Sequence, residues 1–231
     1  MGRVKNLDEI KTMVRARTGK RNTFRHAKTA DVESVLANLS SKDPELWAKE
    51  WSRVAKPYEE QGIQFEKEGK FKEAREAYVQ AYCYYATGRY PTPHTPGKME
   101  CFRKSLEVYE KAGKYFEPVL ERIEIASKVG KIPIYVRVPK DGKPHAIVIN
   151  FGGIDSFKAE SYEYDEGLQK AGLASCSVDM PGVGECPITA SPTADSIFSA
   201  VIDYLETRAD VDPKRIAIMG RSFGGYWSGK M

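Results

Sequence analysis

The residues best suited to chemistry lie near the end of the sequence, in Gly220-Arg221-Ser222-Phe223-Gly224-Gly225. They match the pattern G-x-S-x-G, in which a serine occupies a sharp strand-to-helix turn and its hydroxyl attacks a carbonyl carbon. Gly220 and Gly224 stand two residues before and after the serine, where the backbones of strand and helix come close together. The N–H of the next residue can donate to the oxygen that becomes negative during acyl transfer. Ser222 is therefore a candidate nucleophile, and Phe223 is a candidate oxyanion-hole donor.

The surrounding sequence decides how much weight this pattern carries, because glycine and serine are common and the pattern also arises by chance. The apolar run Ile216 to Met219 precedes it and predicts a strand. A second glycine pair, Gly152-Gly153, ends another apolar run over 145–151. Reactive groups gather at the carboxyl ends of parallel strands, so Gly153 is a second candidate oxyanion-hole donor. Asp155 follows it and is either a helix-capping side chain or a polar group acting on substrate.

The second half of the chain, residues 130–231, alternates short apolar strands with glycine-rich turns and helices. This order predicts an α/β domain with a mainly parallel sheet and right-handed crossovers. Asp141-Gly142 indicates a hairpin after the first strand. The loop Asp179 to Gly184 is interpreted as a structural turn, since its G-x-G lacks the third glycine of a dinucleotide fingerprint. We predict strands over 132–139, 145–151, 173–178 and 216–219, and helices over 158–171 and 194–208.

The first half differs, because residues 31–129 carry helical periodicity almost throughout. Asp43-Pro44 provides an N-cap and a proline for the first helical turn. Three prolines and a glycine over 90–97 predict a loop, and a new helix is expected from Lys98 to Ala112. We interpret most of the many tyrosines as packing between helices; some could instead line a pocket for an aromatic ligand.

Composition excludes several classes of protein. The 231 residues are 41% hydrophobic and 29% charged, and a net charge of +4 is too dilute for a nucleic-acid-binding footprint. Residues 1–30 are basic, which favours a solvated arm over a nucleic-acid contact. The four cysteines show no C-x-x-C pairing, which favours the reduced cytoplasm. No run of about 18 apolar residues could span a membrane, and no motif indicates a metal or other cofactor.

Three segments together resemble a known family: Phe151 to Glu160, Asp179 to Glu185 and Gly220 to Gly225. They are similar to the α/β-hydrolases grouped with the fermentation-respiration switch esterase. That family includes dihydroxypseudooxynicotine hydrolase and fungal hydrolases that shorten polyketide chains. The resemblance covers both halves of the chain, because family members carry a helical N-terminal region that packs over the hydrolase core as a cap.

The resemblance implies a serine nucleophile at Ser222, backbone oxyanion donors at Phe223 and about Gly153, and an auxiliary acid at Asp155, where the carbon–carbon hydrolases carry a glutamate. It implies a helical cap over 31–129 and the N-terminal part of an α/β-hydrolase domain over 130–231. It also implies a small carbonyl substrate and, since family members are often dimers, a homodimer.

The residues after Ser222 lack the rest of a catalytic triad. In this fold the triad follows the order serine, acid, histidine, yet Phe223 to Met231 contain no Asp, Glu or His. His26, His94 and His145 lie upstream, and His145 begins a predicted strand, at the wrong end of the sheet. We therefore expect the sequence to be a piece of a longer enzyme and inactive by itself.

Two functions remain open at this point. One is a serine hydrolase that acts on the ester or carbon–carbon bond of an aromatic or ketide-like carbonyl compound. The other is a non-catalytic helical interaction module fused to a degenerate hydrolase fold.

Overall fold

The chain forms two structural units in the computed structural model, which describes residues 5–231. The first unit ends at Tyr115 and the second begins at Phe116. The sequence had placed the boundary between residues 129 and 130. The difference arises because the last predicted helical residues belong to the second unit, where Glu121–Ser127 forms a β-strand.

The first unit is helical. Asp43 caps its longest helix as predicted, since the Oδ1 atom of Asp43 accepts a hydrogen bond from the Glu45 N–H at 3.0 Å and Pro44 begins the helix. The predicted loop after residue 89 is also present, and the next helix begins at Pro96. The elements are α1 Leu7–Arg17, the 3₁₀ helix Asn22–Phe24, α2 Thr29–Asn38, α3 Pro44–Lys67, α4 Phe71–Arg89 and α5 Pro96–Gly113.

The basic N-terminal region is folded rather than a solvated arm. Asn6 and Glu9 form a capping box that starts α1, so local sequence favours a helix here. Val14 and Phe24 are fully buried, which anchors α1 and the following 3₁₀ helix to the unit. The expectation of an arm was therefore wrong for residues 5–30, and Met1 to Val4 lie outside the described residues.

Tyrosine hydroxyls join the helices of the first unit through carboxylates. Asp31 accepts hydrogen bonds from Tyr58 at 2.8 Å and from Tyr84 at 2.5 Å. Burial, together with the hydrogen bond to Asp31, raises the pKa of Tyr84 far above its usual value, so its hydroxyl stays protonated as a donor. In the same way, Glu59 accepts a hydrogen bond from Tyr85, and Glu66 accepts hydrogen bonds from Tyr78 and Tyr115. These tyrosines therefore serve packing, as the sequence indicated for most of them.

The second unit contains a five-stranded sheet in the order β1-β2-β4-β3-β5. Strands β4, β3 and β5 are parallel, whereas β1 and β2 are antiparallel to their neighbours, so the sheet is mixed rather than mainly parallel. Asp141-Gly142 does not form the predicted hairpin, because β4 lies between β2 and β3. The strands are β1 Glu121–Ser127, β2 Gly130–Arg137, β3 His145–Phe151, β4 Ala174–Val178 and β5 Val211–Gly220.

Helices cover both faces of this sheet. Neighbouring side chains in a strand point to opposite faces of the sheet. Asn150 contacts Asp165 on one face, whereas Phe151 stacks on Phe198 on the other, with 4.4 Å between the ring centres. Trp227 is buried and packs against Phe198 on the same side. The predicted helix over 158–171 begins as a 3₁₀ turn. The elements are the 3₁₀ helix Lys158–Ser161, α6 Tyr162–Lys170, α7 Ser196–Glu206 and α8 Gly224–Lys230.

Candidate active site

Ser222 lies on a sharp turn between β5 and α8, as the sequence predicted. Its φ angle of 54° is the single positive value at a non-glycine residue in the described chain. Such a conformation costs an L-residue about 1–3 kcal/mol and persists where the surrounding structure imposes it. A Cβ atom at Gly220 would lie 2.0 Å from the carbonyl oxygen of Gly224. A Cβ atom at Gly224 would lie 2.4 Å from the carbonyl oxygen of Gly152, so both positions need glycine.

The turn brings Gly153 against the serine. A Cβ atom at Gly153 would lie 3.0 Å from the Ser222 Oγ and 3.3 Å from the backbone nitrogen of Phe223. Within residues 5–231, the N–H groups of Gly153 and Phe223 donate to no other protein group. An exposed hydroxyl beside two available N–H donors is the arrangement that an oxyanion hole requires.

Asp155 lies in a tight turn directly after Gly153. The Ser156 N–H donates to the Gly153 carbonyl oxygen at 3.2 Å, and the Asp155 side chain is half-buried in this turn. The following 3₁₀ helix has Phe157 at its N-cap position, so the helix-capping interpretation of Asp155 was wrong. The chain therefore holds this carboxylate on the loop that also carries Gly153.

His145 is the one histidine of the second unit, and it lies far from Ser222. It begins β3 and pairs with Val211 at the start of β5, whereas Ser222 follows the end of β5. Since β3 and β5 are parallel, the two residues lie at opposite ends of the sheet. The Nε2 atom of His145 contacts Asp141 at 2.8 Å instead. His145 is therefore not a general base for Ser222, as the sequence indicated.

A buried lysine, which sequence reasoning missed, fastens the loop that follows Gly153. The Lys158 side chain is fully buried, and its Nζ atom donates to Asp179 Oδ2 at 3.0 Å and to Glu185. Asp179 Oδ1 also accepts from the Lys158 backbone N–H at 2.7 Å. Burial raises the pKa of Glu185, but the charges of Lys158 and Arg122 outweigh it and hold that pKa below its usual value.

These contacts revise the interpretation of residues 179–185. The segment wraps around the Lys158 ammonium, and a Cβ atom at Gly184 would lie 2.4 Å from the Asp179 carboxyl carbon. The segment is thus more than a turn, because it fixes the 3₁₀ helix that ends the Gly153 loop. In the sequence, the only sign of a buried cation here is the presence of two acidic residues, Asp179 and Glu185, in this segment.

Lys158→Met is expected to destabilise the second unit by about 3–5 kcal/mol, because it leaves the buried Asp179 carboxylate without its ammonium partner. The matched control is Lys131→Met, since Lys131 is 77% exposed and pairs with the partly exposed Glu124. That change should cost less than about 1 kcal/mol. Urea unfolding followed by circular dichroism measures both, and equal effects would contradict the assignment.

No group of three His, Cys, Asp or Glu side chains within residues 5–231 could hold a metal ion. None of the helices formed there is both long enough and apolar enough to cross a bilayer. The cysteines are unpaired, and Cys83, Cys101 and Cys176 are buried.

In this structure a serine lies on the turn between a parallel strand and the next helix, and it faces backbone donors at the end of a neighbouring strand. This arrangement defines the α/β-hydrolase class. The chain belongs within it to the family described as esterase FrsA-like, whose model matches residues 20–230. This assignment agrees with the resemblance noted from the sequence.

Curated relatives come from bacteria and fungi. The chain is 33% identical over 127 residues to 2,6-dihydropseudooxynicotine hydrolase of Paenarthrobacter nicotinovorans, covering 54% of this chain and 35% of the relative. It is 27% identical over 186 residues to esterase FrsA of Vibrio vulnificus, covering 78% of this chain and 43% of the relative. It is 26% identical over 223 residues to 20-hydroxy-prefusarin hydrolase FUS2 of Gibberella moniliformis, covering 89% and 53%. The chain thus spans about half or less of the length of these relatives.

Solved structures support the same fold. The crystal structure of 2,6-dihydroxy-pseudo-oxynicotine hydrolase matches with a TM-score of 0.78 and 25% identity, covering 88% of this chain and 57% of that one. A structure titled AbyA5 wildtype matches with a TM-score of 0.69 at 22% identity, which supports the fold alone.

Proposed function

We propose that the protein is a serine hydrolase in which Ser222 attacks a substrate carbonyl. The observation that carries the proposal is the strained turn: Ser222 stays at a φ angle of 54° with its hydroxyl exposed. A positive φ at a serine costs free energy, and the exposed Ser222 side chain gains no burial in return. Its use is to aim the hydroxyl at a bound carbonyl. The same observation favours an enzyme over a degenerate interaction module, in which the strain could be lost without consequence.

The N–H groups of Phe223 and Gly153 are the proposed donors to the oxyanion. As the serine oxygen bonds to the carbonyl carbon, the carbonyl oxygen gains negative charge, and fixed donors stabilise it more than the neutral ground state. Asp155 is the proposed auxiliary acid, because its carboxylate lies on the same loop as Gly153. A complete cycle also needs a general base to take the serine proton. His145, at the other end of the sheet, does not provide it.

The proposed substrate is an apolar carbonyl compound, either an ester or a ketone cleaved at a carbon–carbon bond. Two large apolar side chains flank the site in sequence: Ile154, 65% exposed, follows Gly153, and Phe223, 43% exposed, follows Ser222. Exposed apolar side chains beside a reactive hydroxyl favour aromatic or ketide-like substrates over charged ones. Relatives named as hydrolases of a pseudooxynicotine and of a prefusarin support the same class of substrate.

The helical unit is proposed to act as a cap over the site. The support is its separate core, together with the arrangement implied by the family resemblance. Most of its tyrosine hydroxyls bind carboxylates inside the unit, so a capping surface would use its other side chains.

Reaction of the whole protein with an aryl phosphonate tests both proposals. We expect one phosphonyl group on Ser222, located by peptide mass spectrometry. We also expect esters with an aryl-containing acyl group to be hydrolysed in preference to esters with a short alkyl acyl group and the same leaving group. A structure of the adduct should show residues of the helical unit against the aryl group. An unmodified Ser222 would overturn the assignment of the nucleophile, and an aryl group distant from the helical unit would overturn the cap.

A further inference from the structure

Arg221, the residue directly before the proposed nucleophile, makes three contacts that sequence reasoning did not foresee. Its Nη1 atom donates to the Asn150 Oδ1 at 3.2 Å, and its Nη2 atom donates to the Ser161 Oγ at 3.1 Å. The carbon of its guanidinium group lies 3.9 Å from the centre of the Tyr164 ring. Asn150 comes just before the Gly152-Gly153 pair, and Ser161 ends the 3₁₀ helix after it. One side chain therefore holds the loop of the proposed oxyanion hole on both sides.

The Asn150 side chain is fully buried, and both its N–H groups and its carbonyl oxygen make hydrogen bonds. While Oδ1 accepts from Arg221, Nδ2 donates to the Asp165 Oδ1 at 2.6 Å and to the Ser177 Oγ at 3.0 Å. The reverse orientation of the amide would face its N–H groups toward a guanidinium and its oxygen toward a carboxylate. Charge on both sides therefore fixes the orientation of this amide.

Asp165 ends the chain of contacts inside the domain. It is 1% exposed, and its Oδ2 accepts from the Ser177 hydroxyl at 2.9 Å. Burial raises the pKa of Asp165 to about 6, against the opposing effects of the Ser177 and Ser175 hydroxyls, Asn150 and the Arg137 charge. Arg137 is itself paired with Glu166 at 2.7 Å. At neutral pH an ionised Asp165 thus faces Arg221 through one amide.

We propose that Arg221 is a positioning residue, and that the hydrogen-bonded chain Asp165–Asn150–Arg221, buried at Asp165 and Asn150, holds Ser222 and the Phe223 N–H in reacting geometry with the Gly153 loop. The inference rests on the proposed function. Its physical basis is that a strained residue keeps its conformation only where neighbouring contacts over-determine it. The Arg221 side chain makes such contacts with three elements at once: β3, the 3₁₀ helix and α6. The Arg221 N–H adds a fourth, since it donates to the Phe151 carbonyl oxygen at 3.1 Å.

Arg221→Met in the whole protein tests this inference, with Arg215→Met as the matched control. Arg215 lies on β5, the strand that Arg221 directly follows, but its side chain is 59% exposed and pairs with Asp212 at the surface. We expect Arg221→Met to lower kcat for an aryl ester, and the rate of Ser222 phosphonylation, by about 10- to 100-fold, because small displacements of reacting groups have effects of this size. KM should change less than about twofold, and Arg221→Lys should recover part of the rate, because it keeps the charge but loses the paired donors.

Each outcome decides a different point. Wild-type rates in Arg221→Met, or a loss no larger than that of Arg215→Met, would overturn the positioning role while leaving Ser222 as the nucleophile. A wild-type protein that is never phosphonylated at Ser222 removes the proposed function and this inference with it. If Arg221→Met does not fold, Asp165→Asn decides: we expect kcat to fall at least about threefold with KM unchanged, and an unchanged kcat contradicts the proposal.

Discussion

We expect Ser222→Ala to lower turnover of the whole protein by at least about 10⁴-fold and to abolish its phosphonate labelling, while leaving its stability nearly unchanged. Activity should be lost because the attacking oxygen is removed. Stability should be kept because the serine side chain is exposed and alanine carries the same Cβ atom at the strained φ angle. The rate of ester hydrolysis, peptide mass spectrometry and the unfolding midpoint measure these three quantities.

Ser228→Ala is the matched control for this prediction. Ser228 lies on α8, the short helix that follows Ser222, and its hydroxyl donates to the Gly224 carbonyl oxygen at 3.2 Å. Its replacement should leave labelling intact. Equal labelling of wild type and Ser222→Ala would show that another residue is the nucleophile.

Gly224→Ala and Gly225→Ala are expected to have opposite effects, although the two glycines are adjacent. A Cβ atom at Gly224 would meet the Gly152 carbonyl oxygen at 2.4 Å and the Phe151 ring at 3.0 Å, so backbone must move. We expect Gly224→Ala to lower the free energy of unfolding by about 1–3 kcal/mol or more. We also expect kcat to fall by about 100-fold, because displacing Gly152 displaces the adjacent Gly153.

The nearest atom to a Cβ at Gly225 is 3.9 Å away, which is ordinary contact. Gly225 lies within α8 and its φ angle is not positive, so alanine should stabilise the protein by about 0.4–1 kcal/mol through the unfolded chain. Urea unfolding and ester hydrolysis of both variants check the pair. Similar losses in the two variants would mean that the close approach at Gly224 is not what the turn depends on.

Local signals explain what the sequence predicted correctly. Asp43-Pro44 begins a helix because one carboxylate oxygen and one fixed φ angle satisfy the needs of a helix N-terminus within three residues. Gly220 marks the turn because the clash that it avoids, with the Gly224 carbonyl oxygen, involves a residue close in sequence. The class of fold and the placement of Ser222 beside Gly153 followed from such signals and from the family resemblance.

Distant contacts explain what was missed. In strand β1 the apolar Ile123 and Ile125 alternate with the charged Arg122 and Glu124. The strand is short and follows a long helical region, so its pairing with β2 decides that it is a strand. Lysine is normally a surface residue, and the burial of Lys158 depends on carboxylates more than twenty positions away. Arg221 depends in the same way on Asn150, 71 positions before it.

The two ends of β3 differ in how the chain could change length there during evolution. At its carboxyl end, Asn150 binds Arg221, the Phe151 carbonyl binds the Arg221 N–H, the Gly152 carbonyl packs on Gly224 and Gly153 faces Ser222. Inserting or deleting one residue there would exchange the faces of the strand and separate all four contacts at once. Before β3, residues 140–144 are exposed and belong to no strand or helix. We therefore expect insertions to be tolerated in the connection that enters β3, and to disrupt the proposed active site when they fall in the four residues at its other end.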